Sequence, residues 1–188
     1  MMQKKSFAGF LLCFALFFGI SSFAQVNVYD GRDTFPKPPL TKNTLFYLQR
    51  TPNANTILYD LNVNSKGELD KENPIHVYWI RYTEPGHPKK DLNYIQRKFA
   101  YGVKVKKLSG DEWDIRLVAY EKVKLTLKKD QNGQYKVFTN INKKEAVFDK
   151  SYIRIDEGGS FWKPNVKYIE IFGHDSQTKA KDSYRILL

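Results

Sequence analysis

Apolar residues recur at every second position through much of this 188-residue chain, and this alternation limits the possible fold more than any other feature. Val123, Leu125 and Leu127, for example, alternate with two lysines and a threonine. A period of two is typical of a β-strand that turns one face to the core and the other to solvent. The pattern begins near Thr44 and continues to the C-terminus, so the sequence predicts a mainly β protein.

About ten segments carry this pattern, and turn-forming residues separate them. They are residues 45–50, 56–62, 75–82, 101–106, 115–120, 123–128, 135–141, 146–156, 167–172 and 183–188. The segment at 75–82 is apolar on both faces, which indicates a central strand, and Asn132-Gly133 predicts a hairpin turn. Many short strands with closely spaced turns favour a single antiparallel β-sandwich or a closed β-barrel. The alternation does not distinguish these two architectures.

One stretch departs from the period of two. Leu92, Ile95 and Phe99 lie at positions i, i+3 and i+7, which is the spacing of one face of a helix. Asp91 precedes them and has a side chain suited to an N-cap. The sequence therefore predicts one short helix at residues 91–99.

The first 24 residues have the layout of a secretory signal peptide. Lys4 and Lys5 precede an apolar run at residues 7–20, and Ser22 and Ala24 supply the small residues of a cleavage site. The run is shorter than the roughly 20 residues that a membrane-spanning anchor needs. Cys13, the residue that a lipoprotein signal would use, lies inside the run. These observations favour cleavage over an anchor or a lipid attachment, and they predict an exported, periplasmic or secreted protein.

Residues 25–43 read as an extended arm, because the prolines in Phe35-Pro36-Lys37-Pro38-Pro39 disfavour both helix and central strand. Residues 44–188 then form a single domain. Cys13 is the only cysteine, so cleavage would leave a chain without disulfides. The formal charge of +11 includes Lys4 and Lys5, which leaves +9 after cleavage. This charge suits an anionic ligand or envelope polymer, or serves solubility alone.

Catalytic and metal-binding patterns are weak. His76, His87 and His174 lack metal-ligand spacing, and Gly158-Gly159-Ser160 is more typical of a turn than of a nucleophile. The adjacent pair His174-Asp175 is likewise typical of a solvated turn. Paired carboxylates of a glycosidase would have to come from a set of five acids, namely Asp60, Glu84, Asp156, Glu157 and Asp175. The sequence therefore predicts no catalytic residue, cofactor or metal.

A mixture of arginines and aromatic residues on predicted regular structure is the best candidate for a ligand site. Arg81 shares a strand face with Ile75, Val77 and Trp79, where a guanidinium needs an acid, an aromatic ring or an anionic ligand. We expect Arg81 to enter the interior or a cleft beside Trp79, with Arg50 or Arg97 near enough to share an acidic partner. A structural partner such as Asp60 or Glu170 is the alternative. The predicted ligand-binding residues are Arg50, Trp79, Arg81, Tyr82, Arg97 and Tyr101.

Three blocks carry a resemblance to a known family. They are Thr-Leu-Phe-Tyr-Leu-Gln-Arg-Thr-Pro-Asn-Ala-Asn-Thr at 44–56, His-Val-Tyr-Trp-Ile-Arg-Tyr at 76–82 and Ile-Gln-Arg-Lys-Phe-Ala-Tyr-Gly-Val at 95–103. Together they resemble a bacterial family of exported single-domain proteins, domain of unknown function 4833, over roughly Phe35 to Ile186. That family has no established activity, so the resemblance implies no chemistry. It does imply that the three blocks should be considered together.

The expected function is that of an exported, non-enzymatic envelope protein that binds an anionic or amphipathic ligand or a partner protein. A hydrolase of envelope glycans or esters is a second hypothesis, and a structural module on an anionic cell-surface polymer is a third. Nucleic acid is not expected as a partner, because the chain shows no nucleic-acid-binding motif. No transmembrane span is expected after cleavage, and the oligomeric state is left open.

Overall fold

The computed structural model describes residues 34–160 and 162–188. The predicted signal peptide and the first part of the predicted arm lie outside these residues. In the part of the chain that is described, no helix is long and apolar enough to cross a membrane. The described strands are β1 (Thr44–Arg50), β2 (Asn53–Leu61), β3 (Ile75–Ile80), β4 (Lys89–Asp91), β5 (Val103–Lys107), β6 (Trp113–Leu117), β7 (Tyr120–Lys129), β8 (Tyr135–Ile141), β9 (Lys144–Asp156), β10 (Asn165–His174) and β11 (Lys181–Leu187).

The mainly β prediction is confirmed, and all the described strands belong to one sheet. Its main path runs β4-β3-β2-β1-β9-β8-β7-β6-β5, and β10 and β11 extend from β9. The path curls into a half-barrel, which is not clearly either of the two predicted architectures, a closed barrel or a sandwich. The sheet is also not purely antiparallel as predicted, because β1 and β9 pair in parallel.

Strand β9 explains the curl, because it is long enough to pair with three other strands. Its first part, to Val147, pairs with β8, and residues 150–153 pair with β1. Strand β10 occupies the opposite edge from Val147 to Asp156. The sheet therefore divides beyond β9 into a β1–β4 arm and a β5–β8 arm. Asp149 forms a β-bulge at this junction. Gly173 on β10 lies opposite the bulge, and a Cβ added to Gly173 would lie 2.4 Å from the Val147 carbonyl oxygen.

The concave face of both arms carries the core. It contains Phe46, Tyr59, Trp113, Ile115 and Phe148, each less than 2% exposed. The alternation seen in the sequence places these residues on one face, so the predicted period-two strands account for the core. A smaller buried cluster on the opposite face of the β1–β4 arm comprises Leu58, Tyr78 and Ile80.

The helical region differs from its prediction. Asp91 ends β4 instead of capping a helix, and a single helical turn, α1, occupies Tyr94–Gln96. Asn93 is the N-cap, because its side chain accepts from the Gln96 N–H while the Gln96 side chain accepts from the Asn93 N–H. A five-residue π-helical turn, Arg97–Tyr101, follows directly. The predicted apolar stripe reflects this change, because Leu92 is buried whereas Ile95 and Phe99 are 44% and 51% exposed.

The β7–β8 hairpin forms as predicted, but its loop has five residues. The Asp130 carboxylate accepts from the backbone N–H groups of Asn132 and Gln134 in this loop.

The described part of the predicted arm packs on the convex face. There the Gln49 side chain donates to the Pro36 carbonyl oxygen at 2.9 Å, and the Phe35 ring lies 6.1 Å from that of Tyr152.

Candidate functional site

A cavity of about 510 Å³ lies on the concave face of the curled sheet. Leu48 and Tyr59 line it from the β1–β4 arm, Leu117 and Val123 line it from the β5–β8 arm, and Phe148 lines it from the shared strand β9. The wall is mostly apolar because the alternation directs hydrophobic side chains to this face. Small-molecule sites usually have this size and this apolar character, with a few polar groups that orient the ligand.

Arg50 supplies the only charged side chain among the described residues that line the cavity. It lies at the end of β1 and is partly buried. Its Nε donates to the Tyr101 hydroxyl at 2.6 Å, and its Nη1 donates to the Thr51 carbonyl oxygen at 3.2 Å. Within residues 34–160 and 162–188, no carboxylate forms an ion pair with it, and Nη2 has no hydrogen-bond partner. Since buried arginines are usually paired, this guanidinium is available to an anion.

Tyr101 is the second polar group of the cavity, and the π-helical turn carries it. Its hydroxyl accepts from Arg50 and keeps its own proton for donation to a ligand. The Tyr59 hydroxyl donates to the Tyr101 carbonyl oxygen at 2.9 Å, and the Trp79 ring lies 6.3 Å from the Tyr101 ring. Burial raises the pKa of Tyr59, which therefore stays a neutral donor. Strands β2 and β3 thus hold Tyr101 against Arg50.

Gly102 allows the turn to end beside Tyr101. A Cβ at this position would lie 1.9 Å from the Arg97 carbonyl oxygen, so any larger residue would force the turn apart. The φ of Gly102 is −68°, so the requirement is for close approach and not for an unusual backbone conformation. The Gly102 carbonyl oxygen accepts from the Val118 N–H at 3.0 Å, which ties the turn to the opposite arm.

Two exposed aromatic residues meet at the rim of the cavity. The ring of Phe99, on the π-helical turn, contacts the ring of Trp162 edge-on at 5.7 Å between centroids. Both residues line the cavity, although Trp162 is 69% exposed. Because they belong to separate segments, this contact bridges the rim.

Arg81 does not enter this cavity. Its guanidinium lies 4.9 Å from the Trp79 ring centre, so the predicted position beside this aromatic ring is confirmed. Its Nε is 2.8 Å from a carboxylate oxygen of Glu84, an ion pair that lacks hydrogen-bond alignment. Neither predicted acid is its partner, because Asp60 accepts from Tyr78 and Glu170 pairs with Arg185.

The prediction that Arg81 shares its acid with a second arginine is also wrong, because Glu84 pairs with a lysine instead. Its second cation is Lys90 at 2.9 Å, and not Arg50 or Arg97. The hydrogen bond from Lys90 is the main reason that the pKa of Glu84 is lowered, and Arg81 contributes further. Arg81, Glu84 and Lys90 thus form a partly exposed ion-pair group outside the cavity.

The structure brings together some of the six predicted residues and separates the others. Arg50 and Tyr101 line the cavity, and Trp79 supports Tyr101. Tyr82 lies on the opposite face beside the cluster of Leu58, Tyr78 and Ile80. Arg97 is exposed, and its side chain makes no described contact. The two Gln-Arg blocks meet through Arg50 and Tyr101, whereas the Trp-Ile-Arg block contributes Trp79 as support.

The weaker catalytic candidates have structural roles. His174 pairs through Nδ1 with Asp149 at 2.8 Å and not with Asp175. The Asp175 carboxylate accepts from the backbone N–H groups of Thr178 and Gln177, which lower its pKa and make it a turn residue. Among the described residues, no group of three or more His, Cys, Asp or Glu side chains could hold a metal ion.

The five acids considered for glycoside hydrolysis lie elsewhere on the molecule. Asp60 accepts a hydrogen bond from Tyr78. The pKa of Tyr78 is raised to about 12, first by burial and then by this carboxylate. Asp156 pairs with Arg154 at 2.6 Å. None of the five lines the cavity in the part of the chain described here.

The sequence did not predict Ser151 as a cavity residue or Phe99 as a rim residue. It also did not predict that β9 and β10 form part of the cavity wall. Ser151 is 3% exposed and lines the cavity, and its Oγ has no hydrogen-bond partner among the residues that the structure describes. A serine at an inward position of a period-two strand was the available signal. The bulge at Asp149 obscured it, because the bulge changes which positions of β9 face inward.

Comparison with curated proteins and with solved structures gives no match. A family model does match, and it covers residues 46–184. That range includes Arg50, Tyr101 and Ser151, together with most of the cavity wall. Since the match covers well over half of the chain, the protein belongs to the family described as Domain of unknown function (DUF4833).

Proposed function

We propose that the cavity binds an amphipathic anion, with an aliphatic chain in the apolar interior and an acidic head group at Arg50. One observation carries the proposal: a partly buried guanidinium without a described carboxylate partner lies in an otherwise apolar cavity of about 510 Å³. An arginine desolvated in this way stabilises a bound anion more than one in open solvent does. In this reading the curled sheet acts as an open cup, closer to a barrel than to a sandwich.

The polar groups suit a carboxylate head. Nη2 of Arg50 makes no hydrogen bond to a described residue, and the Tyr101 O–H beside it is available as a second donor. Two converging donors can bind one carboxylate, while Leu48, Phe148 and Ile171 offer apolar contact to the chain. The excess of basic residues would also attract such a ligand to the protein.

Export by the predicted signal peptide would place the cavity, and therefore its ligand, outside the cytoplasm. The hydrolase hypothesis receives no support from this cavity, since its described lining contains no Asp or Glu side chain. A purely structural module would not need an apolar cavity of ligand size, so the cavity favours a ligand-binding role over that hypothesis.

The test compares ligands that differ only in the head group. Binding of dodecanoate, dodecanol and methyl dodecanoate to residues 25–188 is measured by isothermal titration calorimetry. We expect dodecanoate to bind at least tenfold more tightly than the two neutral compounds, because a charge-assisted hydrogen bond contributes about 1.5–3 kcal/mol. Equal or absent binding of all three would contradict the proposal.

Two arginine variants provide a matched pair. Arg50→Met keeps an unbranched apolar stem and removes the charge, so dodecanoate affinity should fall about tenfold or more while dodecanol affinity is retained. Arg97→Met makes the same change on an exposed side chain and should leave both affinities unchanged. Equal losses in the two variants would indicate general charge attraction instead of a site at Arg50.

A further inference from the structure

Ser151 is a buried polar group without an explanation in the protein itself. It is 3% exposed, its Oγ makes no hydrogen bond to any residue within 34–160 or 162–188, and its side chain lines the apolar cavity. Buried hydroxyl groups are almost always paired, because an unpaired one loses its bonds to water without compensation. An unpaired hydroxyl in a ligand-sized cavity therefore points to a partner that enters the cavity.

The register of β1 and β9 locates this hydroxyl relative to Arg50. Arg50 pairs with Ile153, whereas Ser151 pairs with Leu48, two residues deeper along both strands. Two residues of a strand span about 7 Å. Ser151 therefore lies on the inner wall about two residues from the charged end of the cavity. Leu48 and Ile171 are its neighbours on the adjacent strands, and Phe148 contributes apolar surface further along β9.

We infer that Ser151 is a second polar anchor, and that the ligand is an acyl-chain acid with a hydroxyl or a similar hydrogen-bonding group along its chain. This inference rests on the proposed binding of an amphipathic anion at Arg50, and it narrows the chemical class of that ligand. A site built to hydrogen-bond a ligand hydroxyl discriminates against the analogue that lacks it, because its own polar group is then left unpaired.

The test compares dodecanoic acid with three counterparts hydroxylated at the third, fifth or eighth carbon. Each is titrated into residues 25–188. At least one hydroxylated acid should bind about tenfold more tightly than dodecanoic acid. If dodecanoic acid binds and no hydroxylated acid binds more tightly, the inference about Ser151 is overturned while the proposed function stands. If no acid binds at all, the proposed function is contradicted, and the inference about Ser151 that rests on it is overturned as well.

Two serine variants complete the test. In Ser151→Ala, the advantage of the hydroxylated acid should disappear, while the affinity for dodecanoic acid stays within about twofold of the wild type. Ser160→Ala removes a hydroxyl from an exposed part of the same cavity lining and should preserve the advantage. An advantage that survives in Ser151→Ala would overturn the inference, and thermal unfolding of both variants confirms that each one folds.

Discussion

The Nε of Arg50 donates to the hydroxyl of Tyr101 at 2.6 Å, and this bond joins the end of β1 to the π-helical turn across 51 positions of sequence. The guanidinium also lies 5.6 Å from the centre of the Tyr101 ring. The tyrosine thus fixes the orientation of the only charged side chain described in the cavity lining. It follows that Tyr101 should influence both stability and the recognition of an anion.

Replacing Tyr101 by phenylalanine tests this relationship. The change removes the acceptor for Arg50 and one donor to the ligand head, while it keeps the ring against Trp79. We expect the free energy of unfolding to fall by about 1.5 kcal/mol, and dodecanoate to bind about tenfold more weakly. Urea denaturation and calorimetry measure the two effects. Tyr120→Phe is the control, because the Tyr120 hydroxyl also lies at the cavity but makes no described hydrogen bond.

Phe99 is predicted to control ligand exchange and not stability. It is 51% exposed and contacts Trp162 across the rim, so Phe99→Ala should open the cavity at a cost below about 1 kcal/mol. Stopped-flow release of a fluorescent fatty acid should be several-fold faster in this variant. Ile95→Ala truncates a 44% exposed side chain on the neighbouring helical turn, away from the cavity, and should release the ligand at the wild-type rate.

Arg81 is predicted to contribute only modestly to stability. Its side chain is 32% exposed and that of Glu84 is 30% exposed, so solvent screens the ion pair. Arg81→Ala should reduce the free energy of unfolding by about 1 kcal/mol, whereas a fully buried pair would lose roughly 3–5 kcal/mol. Arg81→Met keeps the contact with Trp79 and should recover part of the loss. Urea denaturation decides between these values, and a loss above about 3 kcal/mol would show that the pair is effectively buried.

Asp111 is predicted to make folding sensitive to acid. Hydrogen bonds from Lys71 and Lys129 lower the pKa of its carboxyl from 3.8 to about 2. A carboxyl with a lowered pKa in the folded state stabilises that state above its ordinary pKa, and the contribution disappears as the pH falls through the folded value. The wild type should therefore lose stability relative to Asp111→Asn between about pH 4 and pH 2.

Thermal unfolding at pH 7, 4, 3 and 2 measures this difference. The wild type should be the more stable protein at pH 7, and the two midpoints should converge toward pH 2. Glu84 and Asp175, whose pKa values are also lowered, are present in both proteins, so their contributions cancel in the comparison. Parallel pH profiles would show that the ion pairs of Asp111 do not affect stability.

Local patterns in the sequence were sufficient for most of the strands and for part of the site, although they missed β4 and began β5 two residues early, at Tyr101. The alternation around Val123 placed β7 and its inward face, and the dense aromatic run before Arg81 identified β3. Arg50 and Tyr101 were selected because arginine and aromatic residues coincided on predicted regular structure. The helix failed for a local reason, because the Asn93 capping box moves the start past Asp91 and the π-helical turn exposes Phe99.

The amino-acid sequence by itself determined which segments are strands and which of their faces are apolar, because side-chain direction in a strand follows from the backbone period of two. Tertiary structure decided that β9 pairs with β1, β8 and β10, that the sheet curls into a half-barrel, and that Arg50 meets Tyr101. It also decided that Ser151 faces the cavity, through the bulge at Asp149. These features depend on contacts between residues far apart in the chain, and the free energies of such contacts are not encoded in any local pattern.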